Sequence, residues 1–215
     1  MYSINLSRLS LKAYKDHLLS IDLLPSRRVL LDSIDANISA IADRGIDDIG
    51  ELIQVVSTPK KLSALSQLTS ISEDYLKVLK REIGGLQPKN VPLSEFDMLS
   101  ADQLEKLKNA GLRSSKDLFE AYPNIDESIL EKMTCDKLYA LCALVRINGI
   151  GALAAKIFFE AGYTSTADIA SGDAQTMADK FNAINDAKQY YDGMRLGRKD
   201  MTFCIIHAKM LGQYS

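Results

Sequence analysis

One pattern recurs three times without gaps along this 215-residue chain, over residues 34–52, 100–118 and 151–169. Each copy has an apolar helical stretch that reaches a glycine and is followed at once by another apolar residue. A residue able to cap a helix stands three positions past the glycine, and an acid stands three positions beyond that. The glycines are Gly45, Gly111 and Gly162, the capping residues are Asp48, Ser114 and Ser165, and the acids are Glu51, Asp117 and Asp168.

This pattern has a direct structural interpretation. A glycine in the left-handed conformation ends a helix, and the apolar residue after it folds back on the last turn. The capping side chain accepts a backbone N–H of the next helix, and the acid reaches back to the cap's own N–H. Each copy therefore predicts a helix, a tight glycine turn and a short capped helix. The glycines are 66 and then 51 residues apart, which indicates a unit with variable insertions rather than a regular solenoid.

The rest of the chain also has helical periodicity. Apolar residues recur three and four positions apart, as at Leu138, Leu141 and Val145, and strict alternation is almost absent. We therefore expect an all-α chain of about a dozen short helices. The clearest break is the segment from Gly84 to Pro92, which is rich in glycine and proline. It predicts an N-terminal helical lobe at residues 1–86 with degenerate hairpins and a C-terminal helical lobe at residues 93–215 with the intact hairpin.

The segment 144–157 predicts a hairpin that could bind phosphate. A helix runs into Ile147, residues 148–151 turn, and a second helix follows. Two glycines around one apolar residue allow a tight turn while Ile150 fills the gap between the helices. The N–H groups that start the second helix are then unpaired and attract an anion. The predicted nucleic-acid contacts are Arg146, Asn148, Gly149, Ile150, Gly151 and Lys156.

Two other segments hold weaker versions of this turn. Residues 68–72 keep the apolar positions but have Ser70 and Ser72 in place of the glycines, and residues 98–100 also lack them. The intact segment resembles a helix-hairpin-helix motif, a module that contacts DNA backbones independently of sequence. The apolar and small residues that carry this resemblance are Leu144, Ile147, Gly149, Ile150, Gly151 and Ala155.

Nearly the whole chain resembles an uncharacterised bacterial family, domain of unknown function 4332. Residues 24–27, 81–89, 146–151 and 196–209 carry this resemblance. The family has a helix-hairpin-helix-like architecture and no established activity. The resemblance implies an all-α fold of tandem helix-hairpin-helix or SAM-like helical repeats in two lobes, and it bears on function only by analogy.

The charge balance narrows the class of partner. With 26 Lys and Arg against 28 Asp and Glu, the net charge is −2, which excludes a strongly basic nucleic-acid binder as a description of the whole chain. From residue 137 onward there are 9 basic and 7 acidic residues, which slightly favours binding through the C-terminal part. Arg195, Arg198 and Lys199 precede the last predicted helix and are candidates for further phosphate contacts, with a solvated loop as the alternative.

We predict neither catalysis nor a metal site. An acid soon after such a hairpin is catalytic in DNA glycosylases, but Glu51 and Asp117 hold the place of Asp168 in the other copies, so a capping role is favoured. Phosphate-loop and nucleophile-elbow motifs are absent. Cys135 and Cys142 are two helical turns apart, about 10 Å, too far for one metal. We expect all three cysteines to be buried apolar residues and His207 to lie at the solvent edge. No cofactor is predicted.

Two classes of function remain open. The first is non-enzymatic, sequence-independent binding of a DNA or RNA backbone, which predicts a basic surface around the hairpin. The second is a protein-interaction or scaffold module whose hairpins only pack, which predicts an exposed apolar patch of several hundred Å². Three cysteines, an odd number, favour a reducing, cytoplasmic compartment. No apolar run approaches the roughly 18 residues needed to span a bilayer, so no membrane partner is expected.

Overall fold

The computed structural model describes residues 1–193 and 195–215. These residues form twelve α-helices and three short 3-10 helices, and they contain no β-strand beyond two isolated bridges. The prediction of an all-α chain is confirmed. The α-helices are α1 (Leu11–Ser20), α2 (Ile34–Ala42), α3 (Ile49–Val55), α4 (Pro59–Thr69), α5 (Glu73–Gly84), α6 (Ala101–Asn109), α7 (Ser115–Ala121), α8 (Lys132–Leu144), α9 (Ala152–Glu160), α10 (Thr166–Ser171), α11 (Ala174–Lys188) and α12 (Arg198–Tyr214), and the 3-10 helices are Leu6–Arg8, Pro25–Leu31 and Leu93–Glu95.

The chain divides into two compact units. The N-terminal unit comprises Ile4–Gln87 and Tyr214, and the C-terminal unit comprises Met1–Ser3, Pro88–Gln213 and Ser215. The change of unit after Gln87 falls in the segment 84–92, which is rich in glycine and proline. The first three residues belong to the C-terminal unit although the chain then enters the other one.

In the N-terminal unit, α5 packs against α4 and against the 3-10 helix Pro25–Leu31. It buries Leu76, Leu79 and Ile83, which the helical spacing places on one face. The Tyr75 hydroxyl donates to the Leu30 carbonyl over 3.0 Å and so fixes α5 to the 3-10 helix. Apolar periodicity and one cross-element hydrogen bond together position this core.

The core of the C-terminal unit is built around α8 and α9. Helix α8 packs against α7 and α9, and α9 also packs against α11. Phe158 of α9 is fully buried, and its ring lies 4.9 Å from the ring of Phe181 on α11. Every residue from 141 to 147 is buried, so the end of α8 and the start of the following turn lie inside the unit.

The three glycine turns have the local geometry predicted from the sequence. Gly45, Gly111 and Gly162 have φ of +73°, +83° and +93°, the left-handed region that favours glycine. After the second and third glycines, the N–H of Leu112 donates to Leu107 and that of Tyr163 donates to Phe158, both over 2.9 Å. These bonds satisfy carbonyls that the helix end leaves unpaired.

The three predicted cap bonds are present as well. Asp48 accepts the N–H of residue 51 over 2.8 Å, Ser114 accepts that of residue 117 over 3.4 Å, and Ser165 accepts that of residue 168 over 3.1 Å. The aspartates of the second and third turns also reach back to the N–H of their own cap residue, whereas the glutamate of the first turn accepts the N–H of residue 47.

The buried positions confirm one sequence prediction and correct another. Cys135, Cys142 and Cys204 are all buried and form no disulfide. His207 is only 4% exposed, so the prediction of a solvent-edge position is wrong. Residues 204, 207, 208 and 211 are three and four positions apart on α12, and this spacing places His207 on the helix's buried face. Across the described ranges, no helix is long and apolar enough to cross a membrane.

Candidate nucleic-acid interface

The turn between α8 and α9 is compact and tied to the core. The N–H of Ile147 donates to the Leu144 carbonyl and that of Ile150 donates to the Ile147 carbonyl, each over 3.0 Å. Ile147 is fully buried and Ile150 is 6% exposed, so Ile150 fills the space between the helices. Gly149 and Gly151 are exposed on either side of it. The turn therefore presents backbone to solvent while its apolar residues anchor it.

The two glycines of this turn differ in what folding requires of them. Gly149 has a φ of +89°, which favours glycine. Gly151 has φ −90° and ψ −178°, extended backbone that any residue adopts, and a Cβ added there would meet nothing within 4 Å. Neither backbone strain nor packing therefore requires a glycine at position 151.

Gly151 is the N-cap of α9, and the amides that follow it are unpaired. Over the described part of the chain, the N–H groups of residues 151, 152, 153 and 154 have no acceptor, and the first paired amide is that of Ala155, which donates to Gly151 over 2.9 Å. Four such donors at a helix start, with the positive end of the helix dipole, form a favourable place for an anion. The Ile150 amide, predicted as a phosphate donor, is instead used within the turn.

The two serine-containing turns also bury their apolar residue, Ile71 or Leu99, but in each a serine hydroxyl satisfies one amide of the helix that follows. In the α4–α5 turn, Ser70 has a φ of +60°, Ile71 is buried, and the Ser72 hydroxyl accepts the Tyr75 N–H over 3.2 Å. At the start of α6, the Ser100 hydroxyl accepts the N–H of residue 103 over 3.2 Å, and the side chain of that residue accepts the Ser100 N–H. Gly151 has no side chain to do this, so its helix start stays open.

Arg146 does not reach this helix start. It is 7% exposed, and its Nε donates to the Tyr2 carbonyl over 2.7 Å. Its Nη2 donates over 2.9 Å to the Met1 carbonyl and to the Ser215 hydroxyl, and its guanidinium carbon lies 4.5 Å from the ring centroid of Phe119. Burial lowers the pKa of the Arg146 guanidinium, which nevertheless stays charged. Arg146 therefore anchors both chain ends. Because its guanidinium is buried and engaged there, Arg146 is not available to contact a phosphate at the turn.

Lys156 lies on α9 but is already engaged. Its Nζ is 2.7 Å from Asp97 Oδ2 and 4.3 Å from the ring centroid of Tyr190. Partial burial alone would lower the pKa of Lys156, but the hydrogen bonds and charges of Asp97 and Tyr190 outweigh it and raise the pKa. Asn148 is partly exposed beside Gly149. The side chains of Asn148 and Lys156 flank the open amides in sequence. Of the two, only that of Asn148 forms no hydrogen bond, ion pair or ring contact in the described part of the chain.

The basic segment at residues 195–199 is largely exposed, and hydrogen bonds fix its backbone at Leu196. Asn182 exchanges two hydrogen bonds with the backbone of Leu196, over 2.9 and 3.1 Å. Arg195 Nη2 is 2.8 Å from Asp186 Oδ2, and both side chains are more than half exposed. Arg198 and Lys199 are exposed in the first turn of α12. These three basic residues are therefore exposed within a short stretch of the C-terminal unit, with Arg195 paired to a carboxylate.

A comparison with known protein families finds a match in the C-terminal half of the chain, which contains the α8–α9 turn. The family described as Domain of unknown function (DUF4332) matches residues 97–211, just over half of the 215 residues. The chain belongs to the DUF4332 family. No curated protein and no solved structure matches it. The DUF4332 region contains the α8–α9 turn and the basic segment, whereas residues 24–27 and 81–89, which also carried the resemblance in the sequence, lie outside it.

Within the DUF4332 region, Asp168 is a capping residue. It accepts the backbone N–H groups of Thr164 and Ser165, both over 2.9 Å. Partial burial favours its protonated form, but hydrogen bonds from Ser165 and Thr164 outweigh this and lower the pKa of Asp168. A general acid needs a raised pKa. In the described residues, no group of three or more His, Cys, Asp or Glu side chains is arranged to hold a metal ion.

The sequence did not predict the partners of Lys156 and Arg146, two cations of the DUF4332 region. Asp97 lies 59 positions from Lys156, and Tyr2 lies 144 positions from Arg146. No local spacing rule connects residues so far apart. One signal was available for Arg146, since it is the only charged residue in the otherwise apolar run 141–147. A single charge in such a run indicates burial with internal hydrogen bonds.

Proposed function

We propose that this protein binds nucleic acid without catalysis, through the phosphate backbone, at the turn between α8 and α9. The observation that carries this proposal is the open helix start at Gly151. Four consecutive amides there lack an acceptor in the described part of the chain, and folding does not require the glycine that leaves them open.

A phosphate fits this arrangement for physical reasons. Its oxygens accept several N–H donors at once, and the helix dipole favours its negative charge. A glycine at the N-cap lets a bulky anion approach the backbone without meeting a Cβ. Backbone amides carry no information about base identity, so the binding is sequence-independent.

The same proposal extends to the finer architecture. The turns at residues 70–72 and 98–100 are degenerate hairpins of a tandem helix-hairpin-helix arrangement in which a serine hydroxyl has replaced the ligand. Ser72 and Ser100 already occupy an amide that an anion would need. Of these three turns, the one at residues 148–151 is the one in which no serine hydroxyl binds an amide of its helix start within the described part of the chain.

The proposed site binds weakly by itself. It comprises Asn148, Gly149 and the amides of residues 151–154, and it touches one or two phosphates. The logarithm of the binding constant should then fall against the logarithm of salt with a slope of about −1 to −2. Stronger binding needs additional basic groups on the same surface, for which Arg195, Arg198 and Lys199 are candidates.

A matched pair of acidic substitutions tests the site. Gly151→Asp places a carboxylate on the open amides, and aspartate is a good N-cap, so the variant should fold. Met133→Asp adds the same charge at a residue that is 79% exposed, roughly 17 Å along α8 from the end nearest the turn. Anisotropy with labelled mixed-sequence DNA at low salt should show binding by wild type and Met133→Asp and a loss for Gly151→Asp. Equal binding by the two variants, or none by wild type, would contradict the proposal.

A second candidate function rests on the N-terminal unit. Leu19, Leu24, Val29 and Leu31 are 56%, 66%, 41% and 37% exposed within a short stretch of chain. Four exposed aliphatic side chains so close in sequence favour a protein-interaction module. Leu24→Lys tests this second candidate. If the protein acts only as a nucleic-acid binder, the substitution leaves nucleic-acid binding unchanged. If the protein is an interaction module, the substitution abolishes association with a protein partner or with another copy of the chain, as measured by sedimentation.

A further inference from the structure

Three lysine ammonium groups lie over aromatic rings along α9, beyond the turn. The distances from Nζ to the ring centroids are 4.3, 5.6 and 5.5 Å. The pairs, in that order, are Lys156 with Tyr190, Lys137 with Phe159, and Lys180 with Tyr163. We refer to these six residues as the α9 strip.

The strip follows α9 to its C-terminal end. Lys156 and Phe159 are three positions apart on α9, the spacing of neighbours on a helix surface, and Tyr163 comes directly after Gly162 in the turn that ends this helix. Lys137 comes from α8 and Lys180 from α11, the two helices that pack against α9. Three helices therefore each supply one ammonium group to a strip that begins just over one turn after Gly151.

The strip is accessible and retains positive charge. Lys180 is exposed and the other five residues are partly exposed. Lys156 is paired with Asp97, and Glu160 accepts the Tyr190 hydroxyl over 2.8 Å. Neither Lys137 nor Lys180 forms a salt bridge within the described residues. Two of the three ammonium groups therefore lie over a ring without a paired carboxylate in the described part of the chain, and an anion can supply the missing negative charge.

We infer that the α9 strip binds single-stranded nucleic acid, as an extension of the proposed phosphate site and resting on it. Sites for single strands combine basic groups that follow the backbone with aromatic side chains that contact unpaired bases. A duplex keeps its base faces stacked inside the helix, so the rings of the strip would find no partner there. The combination of lysines and rings around α9 therefore selects an unpaired strand.

Phosphate contacts by Lys137 and Lys180 predict how steeply added salt weakens the binding of a single strand. Each phosphate neutralised on a single strand steepens the logarithmic salt slope by about 0.7. Lys137 and Lys180 together should therefore add about 1.4 to the slope expected from the turn alone. Removing either lysine should reduce the slope by one such step.

The experiment compares a short mixed-sequence single strand with the same strand annealed to its complement, by anisotropy across salt concentrations. Lys137→Gln and Lys180→Gln should each reduce the single-strand slope by about 0.7. Lys108→Gln is the matched control, because Lys108 is exposed on α6 and lies over no ring among the described residues. Tyr163→Leu should weaken single-strand binding by at least about fivefold with an unchanged slope. Thermal melts establish that each variant is folded.

The outcomes separate this inference from the proposed function. If Gly151→Asp abolishes binding while Lys137→Gln and Lys180→Gln behave like Lys108→Gln, the strip is not used, and the phosphate site at the turn still stands. If the duplex binds as tightly as the single strand, the assignment to unpaired strands is overturned. If wild type binds neither form, the proposed function fails and the inference fails with it.

Discussion

Replacing Arg146 with alanine should destabilise the C-terminal unit by about 2–3 kcal/mol. The substitution removes three hydrogen bonds, of which only the one to the Tyr2 carbonyl is fully buried. A bond from a charged donor contributes about 1.5–3 kcal/mol, and the contact with the Phe119 ring contributes about 0.5–2 kcal/mol. Water replaces the two part-buried bonds, and the variant no longer has to desolvate a guanidinium, which reduces the loss.

Urea unfolding followed by far-ultraviolet circular dichroism measures this loss, and hydrogen exchange of the α8 amides assigns it to the C-terminal unit. For a chain of this length the same loss lowers the melting temperature by about 5–10 °C. Arg195→Ala is the control, because its ion pair with Asp186 is exposed and contributes about 0–1 kcal/mol. If Arg146→Ala costs no more than Arg195→Ala, Arg146 does not anchor the chain ends as described.

Three further predictions follow from the caps and the buried polar groups. Gly151→Ser should stabilise the fold by a few tenths of a kcal/mol in a thermal melt, because serine can cap α9 as Ser72 caps α5, and it should weaken DNA binding at low salt. Ser115→Ala should cost about 2–4 kcal/mol in urea unfolding, because the fully buried hydroxyl pairs with the Tyr2 hydroxyl over 2.7 Å and accepts a backbone N–H over 3.0 Å. The pKa of Asp168 is lower in the folded chain than in the unfolded one, so its stabilisation is complete above the unfolded value and is lost as the pH falls through the folded value. Asp168→Asn should therefore flatten the acid limb of the stability profile below about pH 4, and an unchanged limb would contradict the capping role.

The sequence predicted the local features of this fold well. In the three glycine turns, each cap bond and each positive-φ glycine depends on residues no more than five positions apart. The pattern at Gly111, Ser114 and Asp117 was therefore sufficient to predict the geometry of its turn. The position of Gly151 at the start of α9 was predictable for the same reason. Glycine also lacks the side chain that could cap α9, and the structure adds that no other described group accepts these amides.

The sequence could not predict which side chains surround the turn. Arg146 and Lys156 both flank Gly151 in sequence, yet their partners Tyr2 and Asp97 come from distant segments. Whether a cation near a turn faces solvent or the core depends on long-range packing, which spacing along one helix does not encode. The assignment of Met1–Ser3 to the C-terminal unit is non-local in the same way.

The proposed function depends on an anion binding the open amides at the start of α9. The most direct test is a ¹⁵N–¹H correlation spectrum recorded as a short mixed-sequence single strand of DNA is added at low salt. The amide resonances of Gly151, Ala152, Leu153 and Ala154 should shift together and saturably, and that of Tyr75 at the start of α5 should not move, because the Ser72 hydroxyl already accepts its N–H. Shifts confined to other surfaces, or equal shifts at both helix starts, would contradict the proposed function.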